Sequence, residues 1–462
     1  LPLSAVAAHY MSAYGIYIDA DMARNVFHTD AKESSELIGW QMLPALLSSL
    51  PALALLWWVR LKKRRWPKAL LTRLVLLGLA AVIAGVAVFA ASQPLSAMLR
   101  NQRETRYLAT PANIVVAAVS LLKQHGSAVQ QPRAVIGADA VQQLPATGRK
   151  PRLVLLVVGE TVRAANWGLN GYARQTTPEL AALGAEVINF PDVRACGSNT
   201  EVSLPCMFSP QGRADYDVKT IRSQQSLLHV LEHAGIATLW RDNQSGCKGV
   251  CEGLALDQLD RAQDPALCRD GRCFDEILLS KPEAWLGDGS KDRLVVLHML
   301  GNHGPSYYQR VPEAFTRFTP VCANDDLGKC TQASIVNAYD NAVLYTDHVL
   351  ARAIDELKTQ QTYDAALLYF SDHGESLGEK GLYLHGMPHA IAPDEQMQVP
   401  MIWWMSPGFA ADTGLDAACL QAGAGKPHSH DNLFHSVLGL FDVQTAVRKP
   451  GRDMFAGCRA HR

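Results

Sequence analysis

Cysteine is absent from the first 195 residues, and all ten cysteines lie between Cys196 and Cys458. An even set confined to one part of a chain is the pattern of disulfides in a segment held in an oxidising compartment. Cys247 and Cys251, Cys268 and Cys273, Cys322 and Cys330, and Cys196 and Cys206 are near enough for short loops. That leaves Cys419 with Cys458, although spacing does not fix this connectivity. No CxxC spacing repeats, which argues against a cysteine zinc site. Charge is missing from two long runs, Ile38–Trp58 and Leu74–Leu99. A helix needs roughly 20 apolar residues to cross the hydrocarbon layer, so both runs predict transmembrane spans rather than buried core helices. Leu1–Ile18 also lacks Asp, Glu, Lys and Arg and reads as the end of a third span. The chain opens on Leu rather than Met, and earlier spans are expected upstream of it. Acidic residues are lacking in the connecting loop 59–73, which holds Arg60, Lys62, Lys63, Arg64, Arg65, Lys68 and Arg73 beside Trp57, Trp58 and Trp66. The positive-inside rule puts that loop in the cytoplasm, with residues 19–37 and everything after Ala91 on the opposite side. A formal net charge of −1 gives no global attraction for nucleic acid. There is no internal repeat, no GxGxxG and no Walker loop, which removes the repeat, dinucleotide and P-loop readings.

Three strand-like runs do stand out, each ending in potential metal ligands. Arg152–Val158 leads into Glu160, Leu294–Met299 into Gly301-Asn302-His303-Gly304, and Ala365–Phe370 into Ser371-Asp372-His373-Gly374-Glu375. Ligands of open α/β sheets bind beyond the carboxyl ends of strands, so these ends predict one shared site. Carboxylate and imidazole donors together suit zinc or another divalent transition metal. From Pro151 onward short apolar runs alternate with helical patterns: Leu227–Ala234 and Gln332–Thr359 as helices, Val187–Phe190, Ala237–Arg241 and Val399–Trp404 as strands. That alternation predicts a mostly parallel sheet covered on both faces. Before it, Pro111–His125 reads as a helix and Gly126–Lys150 as a linker.

A hydroxyl-rich turn, Cys196-Gly197-Ser198-Asn199-Thr200-Glu201-Val202-Ser203, follows the Val187–Phe190 strand. Such a turn entering a helix offers N–H groups to a phosphate, and a metal could make one of its hydroxyls a nucleophile. On composition Ser198, Thr200 and Ser203 are equal candidates, and an ordinary N-cap is the competing reading.

Gly159-Glu160-Thr161-Val162-Arg163, Leu169-Asn170-Gly171-Tyr172, Cys196-Gly197 to Thr200, Pro205-Cys206-Met207-Phe208-Ser209, Gly301 to Pro305 and Ser371 to Glu379 occur in one order. Together they resemble the phosphoethanolamine transferases, a bacterial inner-membrane family that includes lipid A-modifying, colistin-resistance members. The resemblance covers essentially the whole chain. It implies a helical transmembrane bundle (residues 1–99), a bridging helix and linker (100–150), and a periplasmic, alkaline-phosphatase-like (sulfatase-like) α/β catalytic domain (151–462). It implies zinc held by Glu160, Thr200, Asp372 and His373, with a second ion conceivable beside His303 and His385. Thr200 would become phosphoethanolaminylated, Lys248 and Ser245 would lie by the phosphate, and Glu375 would be an acidic neighbour. His303 or His385 would protonate the leaving oxygen or activate the acceptor, with His389 a weaker candidate. Asn25, Thr29 and Glu33 recur every four residues, one helix face, and match positions that contact lipid. The implied donor is phosphatidylethanolamine and the implied acceptor a lipid A phosphate, or another lipopolysaccharide or glucan group, handled by a monomer. The turn Gly197–Glu201 departs from many relatives at its variable positions, which puts lipid fit in doubt but keeps Thr200. Three rivals remain. A sulfatase would need Cys/Ser-x-Pro-x-Arg, whereas Cys206 is followed by Met207-Phe208. A glycerophosphate transferase shares the Thr–zinc chemistry, and a pseudo-enzyme receptor would not need the ligand set intact.

Overall fold

The computed structural model describes residues 1–28, 39–40, 42–59, 66–90, 107–108, 110–127, 132–143 and 148–460. The chain divides into two compact units, one from Leu1–Ala23 with Ile38–Leu122, the other from Arg24–Leu37 with Lys123–Arg462.

The first unit is helical. Pro2–Tyr14, Met42–Ser48, Leu50–Trp58, Trp66–Ala90 and the start of Ala112–Ser127 carry it. The apolar run after residue 38 is broken rather than continuous: Pro51 has no N–H to give to residue 47, and the Ser49 hydroxyl instead bonds the Leu46 carbonyl (2.7 Å). The next helix starts at Trp66, eight residues before the charge-free run. Pro67 is tolerated in a first turn, and Lys68 and Arg73 have stems long enough to carry their charges toward water from an apolar helix. Among the described residues, Trp66–Ala87 is the helix long and apolar enough to cross a membrane, at 22 residues, and none of it is buried. At 1.5 Å per residue it reaches roughly 33 Å.

The second unit is built on an eight-stranded sheet. Its strands are β1 (Arg152–Gly159), β2 (Val187–Arg194), β3 (Ala237–Asp242), β4 (Leu256–Gln258), β5 (Arg293–His298), β6 (Asp364–Ser371), β7 (Gln398–Met405) and β8 (His428–Ser429). Their spatial order is β8-β2-β7-β6-β1-β5-β3-β4. All pairings are parallel except those of β7, which runs against both β6 and β2. The β7–β2 register shifts between Val399 and Met401. Pro400 lies in that step and Pro191 on the facing strand, so the ladder is interrupted where neither residue has an N–H to donate.

Strand β1 is apolar throughout because both faces are covered. Val154, Leu156 and Val158 enter one core with Leu204, Phe208, Trp240 and Phe434, while Leu153, Leu155 and Val157 enter another with Tyr339, Val343 and Leu350. The second core is roofed by the helix Gln332–Thr359, capped by the Thr331 hydroxyl. Buried Arg152 opens β1 and holds Asp412 (2.5 Å) and Asp442 (2.8 Å). Part of the stretch read as linker is stitched to the sheet unit: Val141–Gln142 pairs with Val443–Gln444, and Ala134 bridges Gln224. Its polar composition marked a surface segment, and backbone pairing fastens it there.

Candidate active site and metal centre

Seven of the eight strands point their carboxyl ends at one edge, and the site is assembled there. Glu160 follows β1, the Cys196–Thr200 turn follows β2, Gln244 to Lys248 follow β3, His303 follows β5, Asp372 and His373 follow β6, and His430 follows β8. Glu160, Asp372 and His373 are fully buried, with one ligand atom from each lying within 4.8 Å of the others. The Gly301 backbone is pressed against Glu160: φ is +54°, and a Cβ there would stand 2.7 Å from the Glu160 carbonyl oxygen. Only glycine fits such an approach, and Asn302 N–H then donates to that carbonyl (2.9 Å).

Asp372 Oδ1 accepts the N–H groups of Thr161 (3.2 Å) and His373 (2.7 Å), which leaves buried Oδ2 without a protein partner. The Gly374 carbonyl can only accept, so His373 Nδ1 carries the hydrogen of their 2.9 Å contact. The Nε2 lone pair therefore faces Glu160 Oε1 (3.3 Å) and Asp372 Oδ2 (3.4 Å). Thr200 Oγ1 lies 3.0 and 3.2 Å from the Glu160 oxygens and 3.3 Å from His373 Nε2. The two rival hydroxyls are engaged elsewhere, Ser198 with the Met387 carbonyl and Ser203 with the Asp372 carbonyl (2.5 Å). Thr200 is the hydroxyl that enters the cluster.

A dry cluster of acceptors facing one another calls for a cation. Zinc bonds oxygen and nitrogen at about 2.1 Å in a tetrahedron, which sets neighbouring donors about 3.4 Å apart. The Thr200–Glu160 (3.0 Å), His373–Glu160 (3.3 Å) and His373–Asp372 (3.4 Å) separations lie near that spacing, and the donor chemistry fits as well.

Thr200 opens the helix Thr200–Met207, capped by the Asn199 side chain on Val202 N–H (3.0 Å). Pro205 sits inside this helix and cannot bond the carbonyl of Glu201 four residues back. The Arg222 guanidinium replaces that bond, donating to Glu201 O and to its carboxylate Oε1, both at 2.6 Å.

Beyond the cluster, Glu375 accepts from Tyr307 OH (2.6 Å) and from His385 Nδ1 (2.8 Å). The His385 ring centroid is 4.4 Å from that of His373 and 5.6 Å from that of His303. Burial, with the neighbouring His385 second, holds His303 well below the usual imidazole range. On the other flank Lys248 Nζ donates to Ser245 Oγ (2.7 Å), and Gln244 Nε2 donates to Glu160 Oε2 (3.3 Å). Asp242 pins this turn by accepting Gly246 N–H (2.8 Å) and by pairing with His298 Nδ1 (2.7 Å). Burial opposes charge on His298, but the Asp242 carboxylate outweighs it and raises the imidazole. Asp275 takes the N–H groups of Leu300 and Gly301 (2.8 Å each) and so seats the loop bearing His303.

Glu160, Thr200, Asp372 and His373 are thus brought into one cluster; His385 adjoins it and joins Glu375 and His303, while Ser245 and Lys248 pair with each other on the turn from which Gln244 bonds Glu160. His389 is half-buried and is pushed down to about 4 by burial and then by Arg213 and Arg194. Asn25 lies on the short helix Ala20–His28, while Thr29 and Glu33 lie outside the described residues. The ten cysteines form five bridges, Cys196–Cys206, Cys247–Cys251, Cys268–Cys273, Cys322–Cys330 and Cys419–Cys458. Sequence reasoning missed Gln244, Tyr307, Arg222 and His430. Only Arg222 had a signal, a helix proline four residues after an acidic residue, which calls for an outside donor.

The fold and this strand-end cluster define a class, the sulfatase-like α/β enzymes, and the sulfatase family model matches residues 152–443. Residues 1–125 match the model described as phosphoethanolamine transferase EptA/EptB. The phosphoethanolamine transferase EptA of Escherichia coli K12 is 38% identical over 99% of this chain and 84% of its own length. The phosphatidylethanolamine transferase Mcr-1 of Escherichia coli is 37% identical over 98% and 84%. Among solved structures, the integral membrane lipooligosaccharide phosphoethanolamine transferase A of Neisseria meningitidis superposes with a TM-score of 0.94 at 42% identity, covering 99% of this chain and 86% of that one. The chain belongs to the phosphoethanolamine transferase family and is an enzyme of that kind.

Proposed function

We propose that the enzyme moves phosphoethanolamine from phosphatidylethanolamine to a phosphate of lipid A through a covalent phosphoethanolaminyl-Thr200. The observation that carries this reading is the selection of one hydroxyl: of three candidates, Thr200 Oγ1 alone stands among Glu160, Asp372 and His373. Those four residues would hold Zn²⁺. When bound, the ion would favour the alkoxide of Thr200 and offset phosphate charge.

The chain's own residues then divide the work. Thr200 Oγ1 attacks phosphorus, the bond to the diacylglycerol oxygen breaks, and that oxygen leaves with a proton. In the second half the acceptor oxygen attacks phospho-Thr200, loses its proton, and restores the hydroxyl. His385 suits both proton transfers, because Glu375 fixes its Nδ1–H and turns Nε2 toward the site. His303 is held neutral by burial and suits accepting a hydrogen bond, or a second zinc, rather than acting as an acid. Lys248, steadied by Ser245, supplies positive charge for the phosphate oxygens.

The relative named a lipooligosaccharide transferase supports an acceptor of this envelope class. The proposed location is the bacterial inner membrane as a multi-pass protein, with the catalytic unit in the periplasm. The basic loop 59–73 and the five bridges agree with that orientation. Asn25, Thr29 and Glu33 are proposed to meet the lipid headgroup, the enzyme acting as a monomer. Adding an amine to an anionic surface would weaken its attraction for cationic peptides.

Incubation with phosphatidylethanolamine should add one phosphoethanolamine to the Thr200 peptide, read by mass spectrometry. Thr200→Ala should abolish the adduct and lower transfer on the order of 10³-fold or more. Near wild-type transfer by that variant would refute the covalent route.

A further inference from the structure

His430 begins the turn that follows edge strand β8 and is buried. Its Nδ1 lies 3.1 Å from the Cys196 amide, its Nε2 3.0 Å from the Ser371 carbonyl. The amide can only donate and the carbonyl can only accept, so Nδ1 is the lone pair and Nε2 carries the hydrogen. One ring therefore ties the start of the hydroxyl-bearing turn to the end of β6, one residue before Asp372. Ser203, three residues after Thr200, makes a second tie between the same two pieces. Its hydroxyl donates to the Asp372 carbonyl (2.5 Å), and its oxygen lies 3.3 Å from His430 Nδ1 with no hydrogen between them. Phe370 packs on the His430 ring, with centroids 5.3 Å apart, and limits its rotation.

Thr200 is thus bracketed. Cys196 precedes it by four residues, Ser203 follows it by three, and both are fastened to the strand end that presents Asp372 and His373. We infer that His430 and Ser203 are positioning residues for phosphoryl transfer, forming a clamp that sets Thr200 Oγ1 against the reacting phosphorus. Their bonds go to backbone atoms rather than to the donor atoms of Glu160, Asp372 and His373, so they act through the placement of Thr200. The inference rests on Thr200 being the nucleophile. Displacing a reacting atom by about 1 Å can cost 10²-fold in rate, and that is the scale of effect the clamp guards against.

The test uses the full chain in detergent with phosphatidylethanolamine and reads four quantities: single-turnover labelling of Thr200, KM for the donor, bound zinc and melting temperature. Ser203→Ala should slow labelling by about 10- to 100-fold with KM and zinc content unchanged. Ser203→Thr, which keeps the hydroxyl, should recover most of the rate. His430→Gln retains a donor and an acceptor and should fall between wild type and His430→Leu. The loss in the double variant Ser203→Ala/His430→Gln should differ from the product of the single losses, because the two ties fasten the same two pieces. If the histidine variants fail to fold, the Ser203→Ala and Ser203→Thr pair decides alone. Wild-type labelling by folded Ser203→Ala and His430→Gln would overturn the clamp, as would parallel loss of rate, donor affinity, zinc and melting temperature. Thr200→Ala in the same assay separates the two readings. If it labels and transfers normally the nucleophile is misassigned, whereas if it is dead while the clamp variants are normal only the clamp fails.

Discussion

At the scale of single residues, the site depends on which polar atoms are already engaged. Ser198 and Ser203 carry the same chemistry as Thr200 but give their hydrogens to backbone carbonyls. Hydroxyl spacing in the sequence cannot reveal that, because it depends on where β6 and the 385–397 segment arrive. Glu160, Asp372 and His373 were legible for the opposite reason: each directly follows a strand whose apolar run is long enough to recognise. His435 shows the cost of keeping an imidazole neutral. Burial, with Arg452 next, pushes it down to about 4, and its Nδ1 accepts the Lys449 N–H (3.0 Å). Its folded pKa is thus depressed below the ordinary 6.5. Between pH 6.5 and 4 the unfolded chain binds a proton that the folded chain refuses, so this residue's contribution is intact above that window and is lost as pH falls through it. Relative to His435→Asn, the melting temperature of the wild-type protein should drop as pH goes from 7 to 4.5. A constant difference across that range would show that folding does not lower the His435 pKa.

At the scale of elements, the Thr200 helix contains a proline that intrinsic preference would exclude. The Arg222 guanidinium makes it tolerable by taking over the Glu201 carbonyl and the buried carboxylate beside it. Arg222→Ala should destabilise the catalytic unit by roughly 2 kcal/mol. Adding Pro205→Ala should return part of that loss, since an alanine at this position supplies the N–H that the helix lacks. No recovery in the double variant would sever this link between proline and arginine. Elements with strong periodicity were readable, the Gln332–Thr359 helix and the strands β1, β5 and β6 among them. The two-residue strand β8 was not, because it is shorter than any period, and so His430 stayed hidden. The direction of β7 was not readable either, since an apolar strand looks the same whichever way it runs. The N-terminal helices were legible as apolar lengths, but their ends were not, because long basic side chains let a helix extend past its charge-free stretch.

At the scale of the whole molecule, the candidate metal cluster joins three separate stretches of one chain: the end of β1, the turn after β2 and the end of β6. A ligand that binds only the folded arrangement stabilises it by mass action, about 2.7 kcal/mol at a hundredfold excess over Kd. Chelation should therefore lower the melting temperature of the catalytic unit, and added Zn²⁺ should restore it together with transfer activity. An unchanged melting temperature after complete metal removal would separate these residues from a metal role. Strand β7 has a wider consequence. Because it runs against its neighbours, its entry rather than its exit lies at the catalytic edge. The segment leading into it meets the site there: Gly374 and Glu375 donate to the carbonyls of Gln396 and Glu395, and Met387 N–H to the Gln396 side chain. Had β7 run parallel, those residues would have fallen on the far rim. The reversal stretches the segment that carries His385 and Met387 between two backbone anchors, so the ring beside Glu375 and the carbonyl that engages Ser198 are held from both ends.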